Sequence, residues 1–303
     1  MITPQDVSVY YDTEDTFGDG GSAGTPVFSW IGIIDDVMNS YGNSMLECRG
    51  IGGIDVNALA VGMKDPEITL KWIVQKKRSA ATAFDPATFF AYAKSFPTGL
   101  ALGYEATFGA SHFSLWYKGM QMDSLEVEFT VDSFIKASSK FVGQDIVSAN
   151  AVIGAASRAS NPLDLANSYA LPLTGFDAEV FVNAAGAGDS PIANLKRASF
   201  YVKNNLTRIP VVRTDYATLL KYILKSRREL GGELTVYVED KTQIDYLLNA
   251  TPLDIRIDLE KSGNTPYFDF TGAKIDMGNL TTRLNEIPCE ISLPFTATGI
   301  SVG

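Results

Sequence analysis

The stretch 270-FTGAKIDMGN-279 decides how this chain is read, because 117-YKGMQMDSLE-126 repeats its layout. Gly119 and Gly272 stand 153 residues apart, and so do Asp123 and Asp276. Apolar positions recur in step around them: Leu115 with Phe268, Tyr117 with Phe270, Met122 with Ile275. A second pair keeps the same order, 66-PEITLKWIV-74 against 232-GELTVYVED-240, with Glu67 facing Glu233 and Thr69 facing Thr235 in the comparison. A third, 138-SSKFVGQDI-146 against 292-SLPFTATGI-300, closes each unit. Two amphipathic strands resemble each other by chance, but three matches in one order indicate a duplication. Glu67 and Asp123 are 56 residues apart and Glu233 and Asp276 only 43, so the first copy carries extra residues, placed at 76-KKRSAATAFD-85. The expected domains are 1–150, including an N-terminal arm, and 151–303, with the Ala-, Ser- and Asn-rich stretch 146–170 as linker.

Bulk properties agree with this. The chain has 303 residues, room for two domains of ordinary size. With 46% hydrophobic and 20% charged residues, each unit can bury a core. A formal charge of −10 excludes nucleic-acid binding through a general basic surface. Cys48 and Cys289, the only cysteines, offer neither a disulfide framework nor a zinc site. The first fifteen residues lack the basic-then-apolar pattern of a signal peptide, and no run of 18 apolar residues suggests a membrane span. The glycosylation triplets at Asn205, Asn249 and Asn279 then carry little weight.

Strand signals dominate. In 125-LEVEFTVD-132, Leu125, Val127, Phe129 and Val131 oppose Glu126, Glu128, Thr130 and Asp132. In 253-LDIRIDLE-260, Ile255, Ile257 and Leu259 oppose Asp254, Arg256, Asp258 and Glu260. Period two with one polar face predicts half-buried antiparallel sheet. Further strands are expected at 29–37, 68–74, 100–104, 112–120, 178–183, 198–202, 233–239, 267–276 and 290–296. Helices are few. Asp85-Pro86 caps one over 86–95, its counterpart spans 240–249, and a third starts at Thr214 or Asp215, carries Leu219, Leu220, Ile223 and Leu224, and ends at Gly231-Gly232. The acidic, glycine-rich segment 10–26 reads as an extended arm, not a strand. This composition predicts a mainly β chain of two antiparallel sandwich or barrel domains, each with a flanking helix.

Catalytic signals are weak. Gly20-Gly21-Ser22-Ala23-Gly24 fits G-x-S-x-G, yet Thr25-Pro26 follows where a helix is needed, and His112 is the sole histidine. The segment 183-NAAGAGDS-190 lacks a third glycine and reads as a hairpin turn. Asp12, Glu14, Asp15 and Asp19 fit no calcium-loop spacing, so a solvated acidic arm is the simpler reading. No enzyme activity, cofactor or metal is expected. Lys76-Lys77-Arg78 is the only basic run, either a solvated loop tip or a contact for an acidic neighbour.

The segments 29-SWIGIIDDV-37, 49-RGIGGIDVNALAVGMKDPEITLKWIV-74, 197-RASFYVKNNLTRIPVV-212 before 232-GELTVYVED-240, and 266-PYFDFTGAKIDMGN-279 together resemble tail tube proteins of tailed bacteriophages and archaeal tailed viruses, in a duplicated-domain form. The resemblance covers nearly the whole chain through diffuse patterns of strand, turn and glycine. It implies a virion protein of the tail, assembled in the host cytoplasm, whose domains join into stacked rings around a channel for genome delivery. Two domains per chain imply a homotrimeric, pseudo-hexameric ring. Four strands from each of six domains give a barrel of about 24 strands, roughly 45–50 Å across. Partners implied are further copies of the chain, the tape measure, terminator and baseplate proteins, and viral double-stranded DNA that passes without specific binding; no membrane is implied. If the polar faces line the channel, Glu126, Glu128, Asp132, Asp258 and Glu260 repel phosphate, although Arg256 interrupts them. The insertion at 76–84 and the arm make Lys76, Lys77, Arg78, Asp12, Glu14 and Asp15 candidates for contacts between rings. The alternatives are another tail ring component, such as a baseplate hub, distal tail or terminator protein, and a soluble β-sandwich carbohydrate-binding or adhesion protein.

Overall fold

The computed structural model describes residues 7–20, 29–31, 33–40, 42–48, 58–76, 86–95, 99–108, 111–149, 172–184, 191–192, 194–209, 222–238, 245, 252–261, 266–276, 279–281 and 290–303. The strands of its first half are β1 (Val7–Glu14), β2 (Ser29–Trp30), β3 (Ile33–Ser40), β4 (Asn43–Cys48), β5 (Ala58–Lys64), β6 (Glu67–Ile73), β7 (Gly99–Phe108), β8 (Ser111–Thr130), β9 (Lys136–Val142) and β10 (Asp145–Ala149). The second half holds β11 (Glu179–Ala184), β12 (Leu195–Lys203), β13 (Thr207–Ile209), β14 (Tyr222–Leu224), β15 (Glu229–Tyr237), β16 (Leu253–Asp258), β17 (Tyr267–Ile275), β18 (Asn279–Thr281), β19 (Glu290–Thr296) and β20 (Gly299–Val302). The helix α1 (Pro86–Ala91) is followed by a turn that Ser95 closes on the Ala91 carbonyl.

Among the described residues the strands form three connected sheets and two separate pairs, β4-β5 and β13-β14. The central one runs β3-β6-β9-β8-β12-β15-β19-β18, each neighbour antiparallel to the next. An outer sheet of β2-β1-β7-β8-β10 covers one end. A second, β11-β16-β17-β20, covers the other. The 20-residue β8 belongs to two sheets: Ser111–Met120 pair with the outer strands and Gln121–Thr130 with the central ones. The sequence predicts two strands here. They fuse because Gly119 takes a φ of 61° and a bulge follows between Met122 and Ser124, so the strand bends without breaking.

Gly272 does the same for β17 at a φ of 60°, and the repetition extends through the pairings. β1 lies on β7 as β11 lies on β16. β3 meets β6 with a bulge between Ile34 and Asp36, and β12 meets β15 with one between Leu195 and Arg197. Ile31 N–H donates to the Val9 carbonyl, and Ile192 N–H donates to that of Val180. One alignment shifts. Phe141 lies opposite Ile68, whereas Phe295, its counterpart, lies opposite Gly232. Glu67 therefore matches Gly231, and Glu233 matches Thr69. The sequence comparison was two residues out because a strand slipped by two keeps every side chain on the same face.

The core forms between the central sheet and its covers. Its aromatic rings are continuous across the halves: Trp72 packs on Phe89 and Phe90, Phe90 on Phe268 at 5.0 Å between centroids, and Phe268 on Phe200 at 4.5 Å.

The expected mainly β class holds, with corrections. Tyr10–Glu14, expected in a free arm, complete β1, because eight residues pair with β7 and bury Val9, Tyr10 and Tyr11. Ile223 and Leu224, expected on a helix, lie in β14 against β13, and Gly231-Gly232 sit inside β15. Of the helix expected over 240–249 only Asp245 is described, and it is helical. Ile146–Ala149 of the expected linker form β10; its residues 150–170 lie outside the described residues, as do Lys77 and Arg78.

Candidate functional site

Alternation gives the central sheet two unlike faces. Leu125, Val127 and Phe129 of β8 are buried, as are Ala198, Phe200 and Val202 of β12, and Leu234 and Val236 of β15. The opposite face carries Lys71, Glu126, Glu128, Lys136, Ser138, Arg197, Ser199 and Tyr201 around a groove of about 610 Å3. The groove hollows this face between β6, β9, β8 and β12. The face is an interleaved field of both signs rather than an acidic wall. Lys71 lies 3.4 Å from Asp36, Lys136 3.5 Å from Asp35, Lys140 3.2 Å from Glu67 and Arg197 3.4 Å from Glu128, and Lys196 pairs with Glu290.

Of the residues expected in a channel, Glu126 and Glu128 are on this face and exposed. Asp132 lies in the turn after β8, exposed. Asp258 belongs to the outer sheet, is 3% exposed, and is held by the Arg256 guanidinium at 2.7 Å. The Arg256 that interrupts the acidic pattern is thus the partner of Asp258. Glu260 follows β16, 3.5 Å from Lys76. Lys76 also lies 3.7 Å from Asp177, so this expected inter-ring cation is engaged within its own chain.

The acidic segment behaves differently from a free arm. Asp12 accepts from the Thr13 N–H, and Asp15 is exposed. Glu14 is 4% exposed and turns inward. Its Oε1 accepts the N–H groups of Gly20 at 3.0 Å and Gly119 at 2.8 Å, and its Oε2 accepts that of Gly18 at 2.8 Å. Burial pushes its carboxyl above the usual range; those three donors oppose the rise, and Asp19 adds to it. Glu14 clasps the 15–20 loop to the bend of β8 and is not available for an outside contact.

The two halves meet where β12 pairs with β8, from Arg197 opposite Thr130 to Lys203 opposite Ser124. A knot of polar groups closes this seam. Asn204, 2% exposed, donates its Nδ2 to the carbonyls of Met122 at 2.9 Å and Ala93 at 3.1 Å. Its Oδ1 accepts from Arg228 Nε at 2.8 Å. The Asn204 N–H donates to the Asp123 carbonyl, and the Leu206 N–H to the Asp123 carboxylate at 2.8 Å. Arg208 pairs with Asp65 and, at 2.9 Å, with Glu67. Burial works to raise the Glu67 pKa, but Lys140 and Arg208 outweigh it and hold the carboxyl below its usual range. Sequence reading missed Asn204, Arg208 and Arg228, since nothing local separates them from other loop residues.

Among the described residues the central sheet ends on two open edges, since β3 pairs only with β6 and β18 only with β19. Within those residues no group of three or more His, Cys, Asp or Glu is placed to hold a metal, and no helix is long and apolar enough to cross a membrane.

Solved structures that match part of this chain include the tail of an empty gene transfer agent particle, 12% identical with a TM-score of 0.35, spanning 43% of this chain and 98% of that one. The SPP1 tail tube is 12% identical with a TM-score of 0.39, spanning 55% and 87%. The sheath–tube complex of an extracellular contractile injection system is 13% identical with a TM-score of 0.35, spanning 50% and 93%. Scores this low mark partial likeness only. A search among curated proteins finds no match. The profile described as "Phage tail tube protein" matches residues 4–297, so the chain belongs to the phage tail tube protein family.

Proposed function

We propose that this tail tube protein works as a homotrimer, each chain supplying two tail-tube-like domains, 1–150 and 151–303, to a ring that stacks into the tail tube. The observation that carries this is the eight-strand central sheet with an open edge at each end. Open edges recruit further strands. Two unlike edges on one chain make a head-to-tail contact, which gives a ring when the rotation closes. Three such sheets make a barrel of about 24 strands and roughly 45–50 Å, wide enough for duplex DNA.

The grooved polar face, with Glu126 and Glu128, then lines the channel. Phosphate contacts dominate DNA affinity, so a wall whose Lys and Arg are engaged by carboxylates gives a polyanion little to grip. Buried Asp258 and ion-paired Glu260 belong to the outer layer in this reading. The protein acts by assembly, with other tail proteins at the tube ends and DNA as cargo, in the virion tail after assembly in the host. Negative-stain microscopy of the purified chain tests it. Tubes or rings with three-fold repeats are expected; a chain that stays monomeric at high concentration overturns the reading.

A further inference from the structure

The seam inside the chain uses one Asn and one Asp, and the chain carries both residues a second time, on its two open edges. Asn204 lies seven residues after Arg197, where the bulge of β12 ends; Asn43 lies seven after Asp36, where the bulge of β3 ends. Asp123 lies four residues after Gly119, and Asp276 four after Gly272, the two positive-φ glycines. Within one chain Asn204 meets the β8 segment that ends on Asp123. Asn43 begins β4 beyond the open end of β3, and Asp276 is an exposed carboxylate at the end of β17, where Thr296 donates to it at 3.1 Å. We infer that Asn43 of one copy and Asp276 of the next form the same knot between chains as Asn204 and Asp123 form within one.

This rests on the ring reading and adds the residues and the register. Transferring the seam places Ser40 opposite Asn279 and Met38 opposite Thr281, as Tyr201 faces Glu126 and Ser199 faces Glu128. β18 is already in the matching position: Asn279 faces Ser292 and Leu280 faces Ile291, just as Glu126 faces Ser138 and Val127 faces Ala137. Transferring the contact of Asn204 assigns Asn43 to the Ile275 carbonyl of the neighbour, and transferring that of Leu206 assigns the N–H of Met45, inside β4, to the neighbour's Asp276 carboxylate.

The test uses full chains in three samples. Asn43→Ala and Asp276→Ala are each expected to raise the concentration needed for assembly by roughly tenfold or more, the scale of one lost buried hydrogen bond. Near-UV circular dichroism reports whether each variant keeps the parent fold. An equimolar mixture has one intact contact, the Asp276 edge of the first variant with the Asn43 edge of the second. It is expected to give dimers that grow no further. Either variant assembling like the parent, or a mixture giving rings or no dimer, overturns the joint. The register has its own readout: in a chain with Cys48→Ser and Cys289→Ser, the pair Ser40→Cys and Asn279→Cys is expected to cross-link copies within tubes. Parent tubes that cross-link only with Ser40→Cys and Thr281→Cys overturn the register and leave the ring reading standing. A parent that never assembles removes the ring reading and the joint with it.

Discussion

The two halves of the molecule share their strand pairings but not their furniture. At the bend of β8, Glu14 gathers three N–H groups around Gly119 and the 15–20 loop covers the site. At the matching bend of β17, the Gly272 N–H donates to the Asp254 carboxylate at 3.2 Å, and Thr298 stands over it, exposed. In the core, Trp72 occupies the place that Val236 holds in the second copy, and Tyr11 the place of Val182. Backbone hydrogen bonding fixes which positions face inward, and side chains can then diverge so long as each pair of layers still fills its volume. The bulges, the positive-φ glycines and the seam residues recur because they set backbone direction, which no change of rotamer can replace.

The largest expected effect tests whether the halves are energetically one body. Phe268 sits between Phe90 of the first half and Phe200 of the second. Phe268→Ala should cost about 3–5 kcal/mol by lost burial and a cavity. Denaturant unfolding followed by fluorescence and by circular dichroism should remain a single coincident transition with a lower midpoint. If the first half keeps the parent midpoint while the second melts early, the shared aromatic core does not couple them.

The bends come next. An alanine costs about 1–2 kcal/mol at either position for the left-handed backbone alone. At Gly119 the new Cβ would also lie 2.8 Å from the Cβ of Gln144 and 3.2 Å from two atoms of the Phe17 ring, and Gln144 is buried. At Gly272 its near neighbours would all belong to Thr298, an exposed side chain whose hydroxyl turns away at the cost of one exposed hydrogen bond to the Thr271 carbonyl. Gly119→Ala should therefore cost about 3 kcal/mol and Gly272→Ala about 1–2 kcal/mol, read as midpoint shifts in urea. Equal costs would mean that the first bend is no more tightly packed than the second.

Asn204→Ala should cost about 2 kcal/mol, because it leaves the carbonyls of Met122 and Ala93 buried without their donor. An unchanged midpoint would show that solvent takes over those acceptors and that the seam rests on its ladder alone.

Much of this comparison was legible in the sequence, and its failures have physical causes. The alternation in 125-LEVEFTVD-132 reported a half-buried strand, and the glycine pair reported the duplication, because both are local consequences of backbone geometry. Alternation could not say which sheet a polar face belongs to, so Glu126 on the central sheet and Asp258 on an outer one looked alike. Tyr10–Glu14 looked like a loop because its acidic residues hid a strand whose carboxylates find donors far along the chain, as Glu14 does at Gly119. Asn204 carried no local signal, since its partners at Ala93 and Met122 are 111 and 82 residues away.

The smallest expected effect is a pair of opposite pH responses. The Glu67 carboxyl is held below its usual range by Lys140 and Arg208, so its contribution is present above the unfolded pKa, near 4.5, and is lost as pH falls through the lowered folded value. These pairs are partly exposed, so Glu67→Gln should cost about 1 kcal/mol or less at neutral pH, shrinking in acid. Glu14 has the opposite sign. Its raised pKa means its contribution is complete below about 4.5 and is lost as pH rises through the folded value. Glu14→Gln removes that dependence, so the difference from the parent should drift with pH in the direction opposite to that of Glu67→Gln. Thermal midpoints of the two variants and the parent across pH 3–8 decide it: parallel drifts would show that the clasp in the first half is a charged, solvated contact after all, and that the two halves differ less in their buried polar groups than their geometry implies.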